Sequence, residues 1–238
     1  MSKAFIVLGN ARSGTTLVTG ILQALGVNMD ADFGKAGKNA PKGFRESLAA
    51  HTINTEIFEL AAKEPIPKQQ GNHWIDVHWW PPELEDILAQ KDKMAPKIEE
   101  FVNTYSVHEL WGFKNPKTTI TIDLFLPYLK NPHFVVTLRN PLTNAIACHE
   151  LFKITFPHAL WVTNYYNYRI TQFYEKYKEQ YPFIFVNFEE IRNDPVGTAR
   201  LMADFVDVEL NRSKTKEIKK FVVRKKATPP LCWQSKDI

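Results

Sequence analysis

The sequence contains little cysteine and no long apolar run. Its 238 residues include two cysteines, Cys148 and Cys232, which form no Cys-x-x-Cys pair. A disulfide framework is therefore not expected, and a reducing, cytoplasmic location is the default. No uninterrupted apolar stretch approaches the roughly 18 residues of a membrane span. The first residues lack a small-residue cleavage site, so we expect neither a signal peptide nor a membrane-bound protein.

Charge of either sign is not concentrated in most of the chain. Thirty Lys and Arg residues against 26 Asp and Glu residues leave a formal net charge of +4, and the first dense basic run comes at residues 219–226. This mild excess suits an anionic small molecule and does not argue for nucleic acid. A hydrophobic content of 44% and a charged content of 24% are ordinary for a globular protein, so a disordered chain is excluded.

The sequence does contain short apolar runs that alternate with helix-length amphipathic segments. Residues 4–8 predict a strand buried on both faces, and residues 15–25 predict a helix that Gly26 ends. Further strands are predicted at residues 110–113, 134–138 and 183–186, and further helices at 47–60, 84–89, 119–128, 143–152, 161–177 and 195–205. This alternation predicts an α/β fold with a parallel β-sheet flanked by helices. We expect a single domain over residues 1–238, with a mostly helical insertion around residues 61–110.

The turn after the first strand has the glycine spacing of a phosphate-binding P-loop. Four residues separate Gly9 from Gly14, and a predicted helix follows at once. Glycines let the backbone approach an anion, and the N–H groups at the start of a helix favour negative charge. The residues predicted to surround the anion are Asn10, Ala11, Arg12, Ser13, Gly14, Thr15 and Thr16.

One residue of this turn departs from the form used by nucleotide triphosphatases. The lysine that normally follows the second glycine and reaches the β- and γ-phosphates is Thr15 here. No predicted strand ends in an aspartate suited to magnesium. ATP or GTP chemistry is therefore disfavoured, although the turn by itself does not name its anion.

Five segments, in a fixed order, resemble the sulfotransferase family. Residues 12–17 (RSGTTL) are similar to its 5′-phosphosulfate loop. The other four segments are 39–46 (NAPKGFRE), 111–117 (WGFKNPK), 134–141 (FVVTLRNP) and 188–195 (FEEIRNDP). The resemblance runs from residue 5 to about residue 208 and is to the bacterial and phage-type branch. It implies a P-loop sulfotransferase-like fold and the sulfuryl donor 3′-phosphoadenosine-5′-phosphosulfate (PAPS), with no metal.

The resemblance also implies a second phosphate contact on the donor. Arg139 ends a predicted strand and precedes a turn into a helix, where the family places the arginine that binds the 3′-phosphate. The family often has a serine eight residues later; this chain has Ala147, and Thr143 and Asn144, one turn earlier, are the candidate substitutes. Arg224 and Lys225 are further candidate donor contacts, because many family members carry a basic C-terminal segment. A solvated basic helix end explains those two residues equally well.

The catalytic candidates are Glu46, Lys114 and Arg12. Carbohydrate-type members of the family use a glutamate after the P-loop helix, which implies Glu46 as the general base; an ordinary helix N-terminal residue is the alternative. Lys114 follows a strand at the end where ligands of α/β sheets collect. Cytosolic sulfotransferases have a lysine at the comparable strand end that contacts the sulfuryl group, and the resemblance implies the same role for Lys114. The catalytic histidine of cytosolic sulfotransferases is replaced by Pro116, so that mechanism does not carry over.

Three functions stay open from the sequence. The first is sulfuryl transfer from PAPS to a hydroxyl or amine of a small-molecule or carbohydrate acceptor, which releases adenosine 3′,5′-bisphosphate. The second is a P-loop kinase for a small molecule or nucleotide. The third is a catalytically silent relative that binds nucleotide, or only a protein partner. His73, Asp76 and His78 are close in sequence but lack a fourth ligand, so no metal site is expected there.

Overall fold

The computed structural model describes residues 2–30, 43–63 and 81–222. In these residues, four strands and ten α-helices alternate along the chain. The strands are β1 (Lys3–Leu8), β2 (Leu110–Lys114), β3 (Pro132–Leu138) and β4 (Phe183–Asn187). The helices are α1 (Thr15–Leu25), α2 (Leu48–Ala61), α3 (Leu84–Leu88), α4 (Lys91–Tyr105), α5 (Thr118–Phe125), α6 (Pro141–Phe152), α7 (Phe156–Tyr177), α8 (Phe188–Asn193), α9 (Pro195–Val206) and α10 (Arg212–Phe221).

The four strands form one parallel sheet in the order β2-β1-β3-β4. In its register, Val7 of β1 lies opposite Lys114 of β2, and Leu8 lies opposite Val136 of β3. The carboxyl ends of the strands therefore meet at one edge of the sheet, with the end of β1 between those of β2 and β3. The predicted α/β fold with a parallel, helix-flanked sheet is confirmed.

Strand β1 separates two apolar cores, one on each face of the sheet. Ala4, Ile6 and Leu8 point into the core formed with α2, α4, α5, α6 and α7. Phe5 and Val7 point into the core formed with α1, α9 and α10. Because each buried Ile, Val or Phe contributes about 1.5–3 kcal/mol, β1 is fixed on both sides. This rigid central strand is what positions the turn that follows it.

The helix ends follow the sequence closely. Gly26 ends α1 in the left-handed conformation, with φ 103°, and its N–H donates to the carbonyls of Leu22 and Gln23. Ser47 caps α2 by accepting from the N–H of Ala50, and Asn140 caps α6 by accepting from two backbone N–H groups. Helices α3 and α4 lie within the insertion predicted to be mostly helical. None of the described helices is both long and apolar enough to cross a membrane.

Candidate active site

The turn between β1 and α1 contains two residues in the left-handed conformation. Arg12 and Gly14 both have positive φ angles, 67° and 105°. A Cβ added at Gly14 would lie 2.8 Å from Phe188 Cδ2, so this position needs glycine for both its conformation and its space. Gly14 is the N-cap of α1, whose first N–H groups have no intrahelical carbonyl to bind. The positive end of α1 therefore begins at the edge of the sheet.

Buried side chains hold the shape of this turn. Ser13 Oγ donates to the carbonyl oxygen of Asn10 at 2.7 Å and lies 2.7 Å from Thr137 Oγ1 on β3. Asn10 Nδ2 donates to Asn144 Oδ1 at 2.8 Å and to Thr163 Oγ1 at 3.1 Å. Asn10 and Ser13, both predicted to face the donor, thus use their side chains inside the protein. The N–H of Ser13 also bonds inside the turn, to the carbonyl oxygen of Asn10 at 3.2 Å, so a ligand would meet the N–H groups that follow, at the start of α1.

Arg139 reaches from the end of β3 to the same turn. Its guanidinium donates to the carbonyl oxygen of Arg12 at 2.8 Å and lies 4.5 Å from the ring centroid of Phe188. Burial lowers the pKa of Arg139; Glu189 opposes this shift and Arg12 adds to it. An arginine keeps its proton under such a shift, so the turn gains a fixed, partly desolvated positive charge. The structure thus brings Arg12 and Arg139 together, while Thr143 Oγ1 donates to the carbonyl of Asn140 in the first turn of α6.

Glu46 and Lys114 form a buried ion pair at the end of β2. Lys114 is 1% exposed, and its Nζ lies 2.9 Å from Glu46 Oε1 and 2.6 Å from the carbonyl oxygen of Phe44. The second carboxylate oxygen of Glu46 accepts from Asn115 Nδ2 at 2.9 Å. Burial lowers the pKa of Lys114, and the negative charge of Glu46 opposes that shift. Glu46 precedes Ser47, the N-cap of α2, so it is not an ordinary residue of the helix's first turn.

One carbonyl connects this pair to the first turn of α1. The oxygen of Phe44 accepts from Thr16 Oγ1 at 3.1 Å as well as from Lys114 Nζ. Glu46, Lys114 and Thr16, predicted separately, therefore surround one small region. Thr15, the first residue of α1, is buried. Arg224, Lys225 and the residues at 73–78 lie outside the described part of the chain.

Several contributors to the site carried little or no signal in the sequence. The acceptor on Phe44 is a backbone carbonyl, which any residue could supply. Asn115 stands inside the 111–117 segment, but its role on Glu46 depends on a contact between distant parts of the chain. The described ranges contain no group of three or more His, Cys, Asp or Glu side chains that could hold a metal ion.

Cys148 is expected to be chemically inert in the folded protein. It lies on α6 with its Sγ 3.5 Å from the carbonyl oxygen of Ala11, and burial raises the pKa of its thiol to about 12. Since the thiolate is the nucleophile, iodoacetamide at pH 8 should not alkylate Cys148 in the native state and should do so after denaturation. Peptide mass spectrometry at this residue measures the difference. Rapid alkylation of the native protein would contradict this account of Cys148.

The family comparison matches most of the chain. The profile described as the sulfotransferase family matches residues 4–212, which include every described residue of the site. No curated protein sequence matches.

Solved structures support the same fold. The sulfotransferase STF9 from Mycobacterium avium is similar with a TM-score of 0.54 and 14% identity, over 92% of this chain and 67% of that one. The sulfotransferase STF1 from Mycobacterium tuberculosis gives 0.52 and 15%, over 92% and 71%. The sulfotransferase domain of the Synechococcus PCC 7002 olefin synthase gives 0.54 and 15%, over 91% and 77%. At these identities, the likeness is evidence for the fold.

Proposed function

Because this chain belongs to the sulfotransferase family, we propose that it transfers a sulfuryl group from PAPS to a hydroxyl or amine acceptor and releases adenosine 3′,5′-bisphosphate. One observation carries the proposal: three features stand side by side at the carboxyl edge of the sheet. The Glu46–Lys114 pair is at the end of β2, the anion turn follows β1, and Arg139 follows β3. This order matches the layout of a donor with its reacting group at one end and a second phosphate at the other.

Arg139 is suited to hold the 3′-phosphate. Its Nε is buried and has no hydrogen-bond acceptor among the described residues. Buried donors are normally paired, so this N–H can take a phosphate oxygen of the donor if the guanidinium turns toward it. An arginine fork binds two phosphate oxygens at once, and the ring of Phe188 keeps the guanidinium in place. With the 3′-phosphate on Arg139, the 5′-phosphosulfate is bound by N–H groups at the start of α1.

The Glu46–Lys114 pair suits the chemical step. In the proposed reaction, the acceptor oxygen or nitrogen forms a bond to sulfur while the bond from sulfur to the 5′-phosphate oxygen breaks. The electron pair of that bond goes to the phosphate oxygen, and the acceptor's proton goes to the carboxylate of Glu46. Lys114, aided by Arg12, stabilises the negative charge that develops on the transferred group and the leaving oxygen.

A labelled-donor assay tests this function. Incubation with sulfur-labelled PAPS and a panel of sugar, phenol, alcohol and amine acceptors should give a labelled product and an equal amount of adenosine 3′,5′-bisphosphate. A parallel incubation with γ-labelled ATP and magnesium should transfer no phosphoryl group, because Thr15 replaces the phosphate-binding lysine. Transfer from ATP would favour the kinase. Binding of PAPS without transfer to any acceptor would favour a silent relative.

A further inference from the structure

The chain between Gly43 and Ser47 is strained at the residue beside the ion pair. Arg45 has a φ of 51°, in the left-handed region that a non-glycine residue rarely adopts. On one side of it, the carbonyl of Phe44 accepts from Lys114; on the other, the carboxylate of Glu46 also binds Lys114. The bend at Arg45 therefore turns the acceptors of the residues before and after it toward the ammonium group of Lys114. Strain of this kind persists only where the surroundings hold it.

The side chain of Arg45 supplies such a hold on the opposite side of the bend. Its Nη1 donates to Gln23 Oε1 on α1, and its guanidinium lies 4.4 Å from the ring centroid of Phe221 on α10. The ring of Phe221 rests on Gly20 of α1, where an added Cβ would lie 2.1 Å from Phe221 Cε1. Burial lowers the pKa of Arg45, and Glu217 of α10 opposes this shift. A partly desolvated cation over an aromatic face is held more strongly than one in water.

The far end of the same segment is held differently. Ser47 N donates to the carbonyl oxygen of Lys114 at 3.1 Å, and Ser47 Oγ donates to Asp30. Those contacts fix the start of α2. Residues 44–46 are held separately, by the hydrogen bonds from Thr16 and Asn115 and by the anchor at Arg45.

We infer that Arg45 is a positioning residue: its anchor on Gln23 and Phe221 keeps the carbonyl of Phe44 and the carboxylate of Glu46 on Lys114. This inference rests on the proposed roles of Glu46 and Lys114. Arg45 itself needs no contact with the donor or the acceptor. Helix α10, which is far along the chain from Glu46 and Lys114, thereby contributes to the geometry of these two residues.

Kinetics of paired variants test the inference. Arg45→Ala should lower kcat by about 10- to 100-fold and leave the affinity for adenosine 3′,5′-bisphosphate within about twofold. Arg45→Lys, which keeps the charge over Phe221, should recover part of the rate. Because Arg45 acts through Glu46, adding Arg45→Ala to Glu46→Gln should change kcat by less than about twofold. Arg212→Ala on α10 is the control and should keep the wild-type rate.

A labelling experiment tests the same inference without any turnover. Acylation of Lys114 by an amine reagent should be slow in the native protein and about fivefold or more faster in Arg45→Ala, since its two acceptors are no longer held in place. Lys117 is also fully buried and its Nζ donates to Thr55, so it reports general loosening. Faster labelling of Lys114 alone supports the inference; no change, or an equal rise at Lys117, overturns it. Absence of sulfuryl transfer in the wild type would remove the proposed function, and this labelling result would still decide the role of Arg45.

Discussion

Replacing Glu46 with glutamine is expected to lower kcat for sulfuryl transfer by about 100- to 1,000-fold. Glutamine has the same shape and can still accept from Lys114 or Asn115, which both contact the carboxylate in this structure. It cannot take the acceptor's proton at neutral pH. The affinity for adenosine 3′,5′-bisphosphate should stay within about twofold, because Glu46 binds Lys114 at the end of β2, whereas Arg139, the proposed 3′-phosphate contact, follows β3.

A matched control keeps this result specific. Glu56 is paired with Lys97 on the surface, at 2.5 Å, and Glu56→Gln should keep the wild-type kcat. Initial rates at saturating PAPS, measured for both variants with one acceptor, give the comparison. A Glu46→Gln enzyme with the full rate would show that another group removes the proton, and the assignment of Glu46 as the base would be wrong.

Replacing Arg139 with alanine should weaken the binding of adenosine 3′,5′-bisphosphate by about 100-fold. A hydrogen bond to a charged group contributes roughly 1.5–3 kcal/mol, which corresponds to about 10- to 150-fold in affinity. Adenosine 5′-monophosphate lacks the 3′-phosphate, so its affinity should change by less than about threefold if Arg139 contacts only that group.

The Arg139→Lys variant is the comparison for Arg139→Ala. Lysine keeps one positive charge but has no planar fork to bind two phosphate oxygens and to stack on Phe188, so an intermediate affinity is expected. Isothermal calorimetry at one fixed salt concentration measures all three proteins. An equal loss of affinity for both nucleotides would place Arg139 at the 5′ end of the donor. No loss of affinity for either nucleotide would show that Arg139 does not contact the donor.

The conformation of the turn between Gly9 and Gly14 could be predicted from the sequence because its determinants are local. A glycine is needed at position 14 because the backbone there is left-handed. The apolar run of β1 precedes the turn directly, and the helical spacing of α1 follows it directly. The structure confirms both elements at nearly the predicted bounds. Its supports were not predicted: Asn144 and Thr163 contact Asn10 only because α6 and α7 fold across the end of β1.

The anchor of Arg45 depends on an element that the sequence pattern did not reveal. Helix α10 is mostly charged, and only Ile218 and Phe221 are buried within it, so its apolar periodicity is too sparse to predict a docked helix. Helix α4 lies in the insertion predicted to be mostly helical, but its bounds were not predicted, since its run of charged residues contains Pro96. Both helices are stabilised by contacts with distant parts of the chain, which the local sequence does not encode.

Nucleotide-dependent stability of the wild-type protein tests the central claim most directly. A ligand present at 100 times its Kd, and bound only by the native state, raises the free energy of unfolding by about 2.7 kcal/mol. Thermal denaturation should therefore shift clearly upward with adenosine 3′,5′-bisphosphate and stay unchanged with ATP and magnesium. Stabilisation by ATP and magnesium alone, or by neither nucleotide, would contradict a PAPS site between the end of β1 and Arg139.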